Sequence, residues 1–474
     1  MLAKTKIHVI NVREKDDSKE RNELPVPINN FVIGNESVES HKLPKATKEE
    51  KHRYTFMSTV ADSIGIAGIK IVFGTSIALL RRTLWLLVLV SGLGLVSFQI
   101  WDRISYFAGF PMNVNVRMKY VDELTFPAVA ICNFNLHRRS AIAEANLSGL
   151  FDTLYTHKFP DFTSYNISTT ASEQFYVETA HQLKSMMQRP MWQGLRMEVN
   201  VMKPILTDFG LCYAFNTGED GDEIRKVKNT GESFGLSVIL DAVQAEYNIG
   251  PLFSVGFQVM LYPQGEVPLV GDLGFAVSVG QKVRVGIDVT NITNLAPPHG
   301  SCGEKSLKYY DKYSRNACRM ECATDFMVQM CGCKLFYMPG NVTVCDIQTA
   351  YYCGHEALVT VRNINATCEC PVPCSQLIYK PNLSSAKFTS DIYGAYLENH
   401  FQVPSGHFDK NFAKLNIFFQ ELAVHEVHEE KAYSIFGLLC DIGGSLGLWL
   451  GGSILTVIEI FDICFKGCCS SAWR

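Results

Sequence analysis

Five residues near the C-terminus have types and spacing suited to moving an ion: Asp441, Ser445, Leu448, Gly452 and Glu459. They step by 4, 3, 4 and 7 positions, which keeps them on one face of a 3.6-residue helix. The surrounding stretch, 433–465, is largely apolar, with Asp462 near its end, and long enough to cross a bilayer. A carboxylate inside a membrane helix is costly and faces a partner helix or a water-filled path. One stripe with carboxylates at both ends and small or polar groups between them is what a pore-lining helix requires. Gly443, Gly447 and Gly451 form a second stripe, where helices can approach closely. The run Gly451-Gly452-Ser453 weakens the helix, and unwound carbonyls there can coordinate a cation if they line a cavity. The rival reading, close packing of a simple anchor, leaves the carboxylates unexplained.

The cysteines carry a second chemistry. Of sixteen, none precedes Cys132 and twelve lie between Cys132 and Cys374. Ten of these, from Cys302 to Cys374, fall within 73 residues. C-x-C and C-x3-C spacings without matching C-x2-C pairs suit zinc poorly, so no metal site is expected. An even count favours disulfides in an extracellular region. Six of seven N-x-Ser/Thr sequons fall in the same region: Asn146, Asn166, Asn291, Asn341, Asn365 and Asn382, with Asn35 the exception.

Another apolar run, Leu84 to Trp101, is uncharged over 18 residues, is preceded by Arg81-Arg82 and carries Trp85 and Trp101 at its ends. Positive charge before it and glycan acceptors after it place both termini in the cytoplasm. The organisation read from the sequence is therefore a cytoplasmic segment 1–83, with 1–53 lacking fixed structure; a transmembrane helix 84–107; an extracellular domain 108–432; a second transmembrane helix 433–465; and a cytoplasmic tail 466–474. Cys464, Cys468 and Cys469 lie at the membrane edge, where S-acylation and free thiols are equal alternatives. The extracellular part reads as α+β. Strands are predicted at Phe126–Cys132, Leu236–Ala242, Ser254–Tyr262, Lys282–Val289 and Leu415–Phe419, and helices over Phe175–Gln188 and Ala386–Gln402.

The 474 residues carry a net charge of −4 with no dense basic stripe, which excludes a nucleic-acid binder. No nucleophile elbow, P-loop or dinucleotide fingerprint points to an enzyme. The mean hydropathy of +0.06 is a cancellation between two apolar spans and a polar remainder.

The stretch from Leu438 to Glu459 closely resembles the second transmembrane segment of the degenerin/epithelial sodium channel/acid-sensing ion channel superfamily. So do Phe126–Asn133, Tyr213-Ala214-Phe215-Asn216 after Cys212, and Cys318-Arg319-Met320-Glu321-Cys322. The resemblance runs from about Gly68 to Asp462. It implies a homo- or heterotrimeric, amiloride-sensitive, sodium-selective channel of the plasma membrane. It further implies two spans flanking a hand-like ectodomain with a β-sheet palm and helical finger and thumb. Permeant Na⁺ and the lipid bilayer are the implied partners, with no cofactor. The implied disulfides are Cys132–Cys212, Cys302–Cys374, Cys318–Cys370, Cys322–Cys368, Cys331–Cys353 and Cys333–Cys345. In the family, a Gly-x-Ser triplet forms the selectivity constriction; here it falls on Gly451, Gly452 and Ser453. The position where bulky residues hold the pore open falls on Cys440, an unusual residue there.

Departures from the family bear on what opens the channel. The pre-membrane His-Gly motif reads Ala67-Gly68, so its histidine is missing. The His pair of acid-sensing members aligns with Pro111-Met112. Expected carboxylates are absent from Tyr247–Leu252, 354–365 keeps only Glu356, a tryptophan is replaced by His299, and the finger is short, with Met191–Val199 in place of an extra cysteine pair. These losses favour opening by an extracellular peptide or other small ligand over a proton. The proton alternative stays alive through His425-Glu426-Val427-His428-Glu429-Glu430, with His299 as a third candidate pH-sensing residue. Alternation along a strand places His425 and Glu429 on one face and Glu426, His428 and Glu430 on the other. The competing view of this run is a solvated, self-neutralising strand. A pore-less, disulfide-rich cell-surface receptor is the alternative of a different class.

Overall fold

The computed structural model describes residues 66, 68–73, 77–156, 160–219, 221–363, 368–453 and 455–462. The segment 1–53, Ala67, Asn365, the three C-terminal cysteines and the tail 466–474 lie outside the described residues. The chain divides into two compact units, Met1–Trp85 with Ile458–Arg474, and Leu86–Val457.

In the first unit a short helix, Ile69–Phe73, begins after Gly68. Gly68 has φ +88, and a Cβ there would come within 2.6 Å of the Trp85 ring. Backbone conformation and close approach both demand glycine.

The second unit is mostly β. Its spine is the 20-residue strand Phe412–Lys431. One edge runs parallel to Gln281–Thr293, which pairs antiparallel with Ser375–Lys387. The other edge is shared between two strands: Leu236–Asp241 takes Phe412–Ile417, and Met112–Tyr120 takes Ala423–Lys431. Met187–Trp192 and Leu195–Arg196 complete this seven-stranded sheet. A five-stranded sheet orders Phe275–Ser278, Gly256–Tyr262, Ala128–Asn133, Gly210–Phe215 and Lys203–Thr207.

Sequence explains these strands at close range. Ala128–Asn133, Gly210–Phe215 and Gly256–Tyr262 are buried at every position, so they read as continuous apolar runs. Leu236–Asp241 alternates buried and half-buried residues, as one packed face requires. The core between the sheets centres on Phe126, which meets the rings of Trp192, Phe419 and Phe215 edge-on at 4.8, 5.8 and 6.2 Å.

The helix Arg315–Cys331 is capped by Ser314 Oγ, which accepts from Ala317 N at 3.1 Å, and ends at Gly332 with φ +74. Cys318 and Cys322, one turn apart, reach Cys370 and Cys368. Cys331–Cys353, Cys333–Cys345, Cys302–Cys374 and Cys132–Cys212 complete six disulfides, the pairs implied by the family resemblance.

Two predicted helices are corrected. Phe175–Gln188 is broken: a helix Glu173–Thr179 stops at extended Ala180, a single turn Leu183–Met186 follows, and a strand starts at Met187. The start of Ala386–Gln402 belongs to the strand Ser375–Lys387, and the helix Asp391–Phe401 begins only after Ser390 caps it.

Leu79–Ala108 is the one described helix long and apolar enough to cross a membrane unaided. It starts before Leu84, and only Gly92 and Val96 are buried along it. Ile435–Leu450 and Leu455–Asp462 pass the same test only as a bent pair. The helix read over 433–465 is interrupted where unwinding is expected: it starts at Ile435, and Gly451, Gly452 and Ser453 are non-helical.

Candidate functional site

Ile435–Leu450 is capped by Ser434 Oγ, which accepts from Gly437 N at 3.0 Å. It ends at Gly451, whose φ of +63 is left-handed. Gly451 N donates to Gly447 O at 3.0 Å and Gly452 N to Leu446 O at 3.3 Å, a closure that uses the terminal carbonyls and lets the chain leave the helix axis. Ser453 N donates to Thr456 Oγ1 at 3.0 Å. Asp441, Ser445 and Leu448 share a helix, and Leu448 is 76% exposed. Gly452 lies beyond that helix and Glu459 belongs to the other unit, so the single five-residue stripe does not hold as one helical face.

Asp441 is not a bare carboxylate. The Tyr433 hydroxyl donates to its Oδ2 at 2.5 Å, and the Tyr433 ring packs edge-on against Tyr106 at 5.5 Å. Ser445 Oγ donates back to Asp441 O at 2.7 Å. Trp449 Nε1 donates to Gln99 Oε1 at 3.0 Å. The close approach of the two helices is at Gly92, where a Cβ would sit 3.3 Å from Trp449 O. Within this chain it is not at the glycine stripe: a Cβ on Gly443 would meet nothing within 4 Å, and one on Gly447 would meet Gly452 O at 3.6 Å. Tyr433, Gln99 and Trp449 were not singled out from sequence, although a glutamine in an apolar span was a usable signal. Cys440, beside Asp441, is a free and exposed thiol.

Above these helices three segments converge. Ala432 N donates to Pro111 O at 3.0 Å, and Glu429 Oε2 accepts from Leu295 N at 2.8 Å. Phe110, at φ +49, packs edge-on against His299 at 5.2 Å. His425 lies opposite Met118, on the face shared with Glu429, while His428 lies with Glu426 on the other face. His299 meets the Phe110 ring, and alternation puts His425 and His428 on opposite faces of the long strand. Glu426 is the centre of charge here. Its Oε2 takes Arg117 Nε at 2.6 Å, and Lys119 stands 3.7 Å from Oε1. The Arg117 hydrogen bond holds this carboxyl below its ordinary range. His428 Nε2 is buried with no hydrogen-bond partner, 3.6 Å from Glu426 Oε2. Among the described residues no group of His, Cys, Asp or Glu is arranged to hold a metal.

The sequence profile described as "Amiloride-sensitive sodium channel" matches residues 60–463. The chain belongs to the amiloride-sensitive sodium channel family. Acid-sensing ion channel 2 of Danio rerio is 32% identical over 412 residues, covering 81% of this chain and 77% of that protein. Acid-sensing ion channel 1C of Danio rerio is 30% identical, covering 88% of this chain and 84% of its own length. For human acid-sensing ion channel 2 the figures are 30%, 86% and 85%. A solved proton-activated chloride channel aligns at 8% identity and a TM-score of 0.33, too slight a likeness to carry fold or function. The family consists of ion channels, not enzymes, and this chain is a sodium channel of it with a disulfide-rich, β-rich ectodomain.

In this sodium channel the segment lacking the expected carboxylates is held by neutral polar groups. Tyr247 Oη donates to Asn133 Oδ1 at 2.6 Å, Asn248 Nδ2 donates to His137 O at 2.6 Å, and Asn135 Nδ2 donates to Glu246 O at 2.9 Å. His137 Nδ1 lies 2.7 Å from Thr179 Oγ1 and His181 Nε2 2.9 Å from Asn135 Nδ2. Burial pushes both imidazoles down to about 4. The Glu173–Thr179 helix is fastened to the disulfide-rich module by the near-buried Lys334, which bonds Glu173 at 2.9 Å, and by Tyr176 stacked on Phe336 at 3.9 Å.

Of the sequons, Asn146, Asn166, Asn341 and Asn382 are exposed, whereas Asn291 is half-buried on a strand with partners on both edges.

Proposed function

We propose that this sodium channel opens to an extracellular ligand and conducts Na⁺ as a homo- or heterotrimer in the plasma membrane. Two spans, Leu79–Ala108 and the broken pair after Ser434, leave both termini cytoplasmic, and amiloride blocks the pore. The observation that carries this reading is the helix end at Gly451. A helix bearing Asp441, Ser445 and Leu448 on one face stops there, and Gly451, Gly452 and Ser453 follow in unwound backbone. Their carbonyls and the Ser453 hydroxyl replace part of the ion's hydration, and Asp441 concentrates cations at the entrance. Glu459 draws cations at the inner end.

Ligand opening is supported by the neutral segment Tyr247–Leu252 where acidic groups are expected. A peptide or other small ligand takes the place of the proton. The second reading, opening by protons, is favoured by the acid-sensing names of the relatives and by the buried, unpartnered His428 Nε2 beside Glu426. Whole-cell recording separates them. Peptide-evoked current that Gly452→Ala changes in Na⁺ over K⁺ preference supports the first reading. Robust current at pH 5 with none from peptides sinks it, and the absence of any amiloride-sensitive current sinks both.

A further inference from the structure

A cavity of about 790 Å³ opens where the edges of the two sheets meet. Its floor is aromatic: Trp192 ends the strand Met187–Trp192, Phe215 ends Gly210–Phe215, and their rings lie 5.4 Å apart. Arg225 caps this floor, its guanidinium carbon 5.8 Å from the Trp192 ring centre and 5.5 Å from that of Phe215. The arginine is fixed from behind. Arg225 N donates to Asn216 Oδ1 at 2.7 Å, and Asn216 Nδ2 donates to Phe126 O at 2.6 Å. The site is therefore preorganised, which lowers the ordering cost of binding.

Two acid–base pairs on the walls neutralise themselves, Glu123 with Lys226 at 2.7 Å and Asp222 with Lys203 at 3.5 Å. Three lining charges remain. Among the described residues, no carboxylate is recorded against Arg225 and no cation against Glu198 or Glu223. A guanidinium fork on an aromatic floor suits a carboxylate ligand, and carboxylates on the rim suit an ammonium. The volume lies in the range of small-molecule pockets, roughly 300–1,000 Å³.

We propose that this cavity is a binding site for a short peptide with free termini, its carboxylate on Arg225 and its ammonium at Glu198 and Glu223. The inference deepens the ligand-gated reading and rests on it. It also supplies a route to the pore: Phe126 touches Trp192 on the cavity side and Phe419 on the other, and Phe419 lies on the strand that runs into the Asp441 helix.

The test is a positional-scanning library of tetrapeptides with free termini, applied to the full-length channel in voltage-clamped cells. Thermal melting of the purified full chain is measured alongside. The expected result is a current in the wild type whose half-maximal peptide concentration rises roughly ten-fold or more in Arg225→Gln and in Glu198→Gln/Glu223→Gln. Maximal current and surface-biotinylated protein stay unchanged, and Arg225→Lys recovers only part of the loss. Acetylated, amidated versions of the active peptides are expected to be weaker in the wild type. Peptide currents that neither variant shifts overturn the site but leave peptide gating standing. A melting shift without current, lost in Arg225→Gln, supports the site and sinks the gating reading. Neither current nor melting shift from any pool overturns both.

Discussion

Phe412–Phe419 and Ala423–Lys431 are parts of one strand, yet they live in different surroundings. In the first part Ala413, Leu415, Ile417 and Phe419 are at most 1% exposed and pack into the Phe126 core. In the second, the neighbouring strand Met112–Tyr120 is exposed at all nine positions, and the cross-strand chemistry is Arg117, Lys119, Glu426 and His428. The register changes between them: Ile287 pairs with Phe419 but Val289 with Val424. The extra residues form a bulge, which bends a strand and interrupts its ladder. Burial and dispersion hold the upper half; the lower half is dressed by ion pairs between the exposed Arg117 and Lys119 and the buried Glu426. The contrast puts buried packing and exchangeable polar contacts in separate places, the latter on the segment that leads into the helix Ile435–Leu450.

The comparison is broken most directly by cutting into the upper half. Phe126→Ala is expected to cost about 3–5 kcal/mol through its cavity, read as loss of folded channel at the cell surface and a lowered melting temperature. If the variant melts like wild type, the upper half is not the stabilising region.

Acid provides the next-largest effect. Burial lowers the pKa of His137 and His181 to about 4 in the fold, against about 6.5 when unfolded, so both are neutral at pH 6 only in the folded chain. The unfolded chain thus binds more protons, and stability falls as pH drops from about 6.5 through 4. For His181 the full loss is about 3 kcal/mol. In His181→Asn the melting temperature should depend less steeply on pH over that window; an unchanged slope would show the buried histidines are not responsible.

In the lower half, Arg117→Gln should leave melting nearly unchanged yet alter opening, shifting the half-maximal agonist concentration by roughly five-fold. A large drop in melting temperature with normal activation would reverse the division of labour. The smallest effect is expected at Asn291. Folded between two strands, it should carry no glycan, so Asn291→Gln should leave gel mobility unchanged, whereas Asn146→Gln, Asn166→Gln and Asn341→Gln each remove one glycan's worth of mass.

What the sequence made legible follows the same division. Buried strands announce themselves as apolar runs, so Leu236–Asp241 and Gly256–Tyr262 were readable. Of the long strand Leu415–Phe419 was readable as an apolar run and 425–430 as an alternating one, but not their union, because Gln420–Lys431 is polar and is held by Met112–Tyr120, some three hundred residues away in sequence, and by Val289–Thr293. The Asp391–Phe401 helix was placed too early since nothing local distinguishes Ala386-Lys387 as strand, although Ser390 was an available cap. The Asp441 stripe was drawn straight through Gly451, where a left-handed turn ends the helix. Contacts such as Tyr433 with Asp441, or Arg225 over Trp192, depend on tertiary placement that spacing does not encode.

The nested disulfides also set a timetable for synthesis. Cys302, Cys318 and Cys322 emerge first, but their partners follow 72, 52 and 46 residues later. Meanwhile Cys333–Cys345 and Cys331–Cys353 need only 12 and 22. At about 5–20 residues per second, Cys318 waits roughly 3–10 s with a free thiol while nearer, wrong partners pass it. The outer rungs close last, around an inner pair already made, so this module depends on enzymes that reshuffle disulfides, and cells short of that capacity should accumulate mispaired channel rather than too little message.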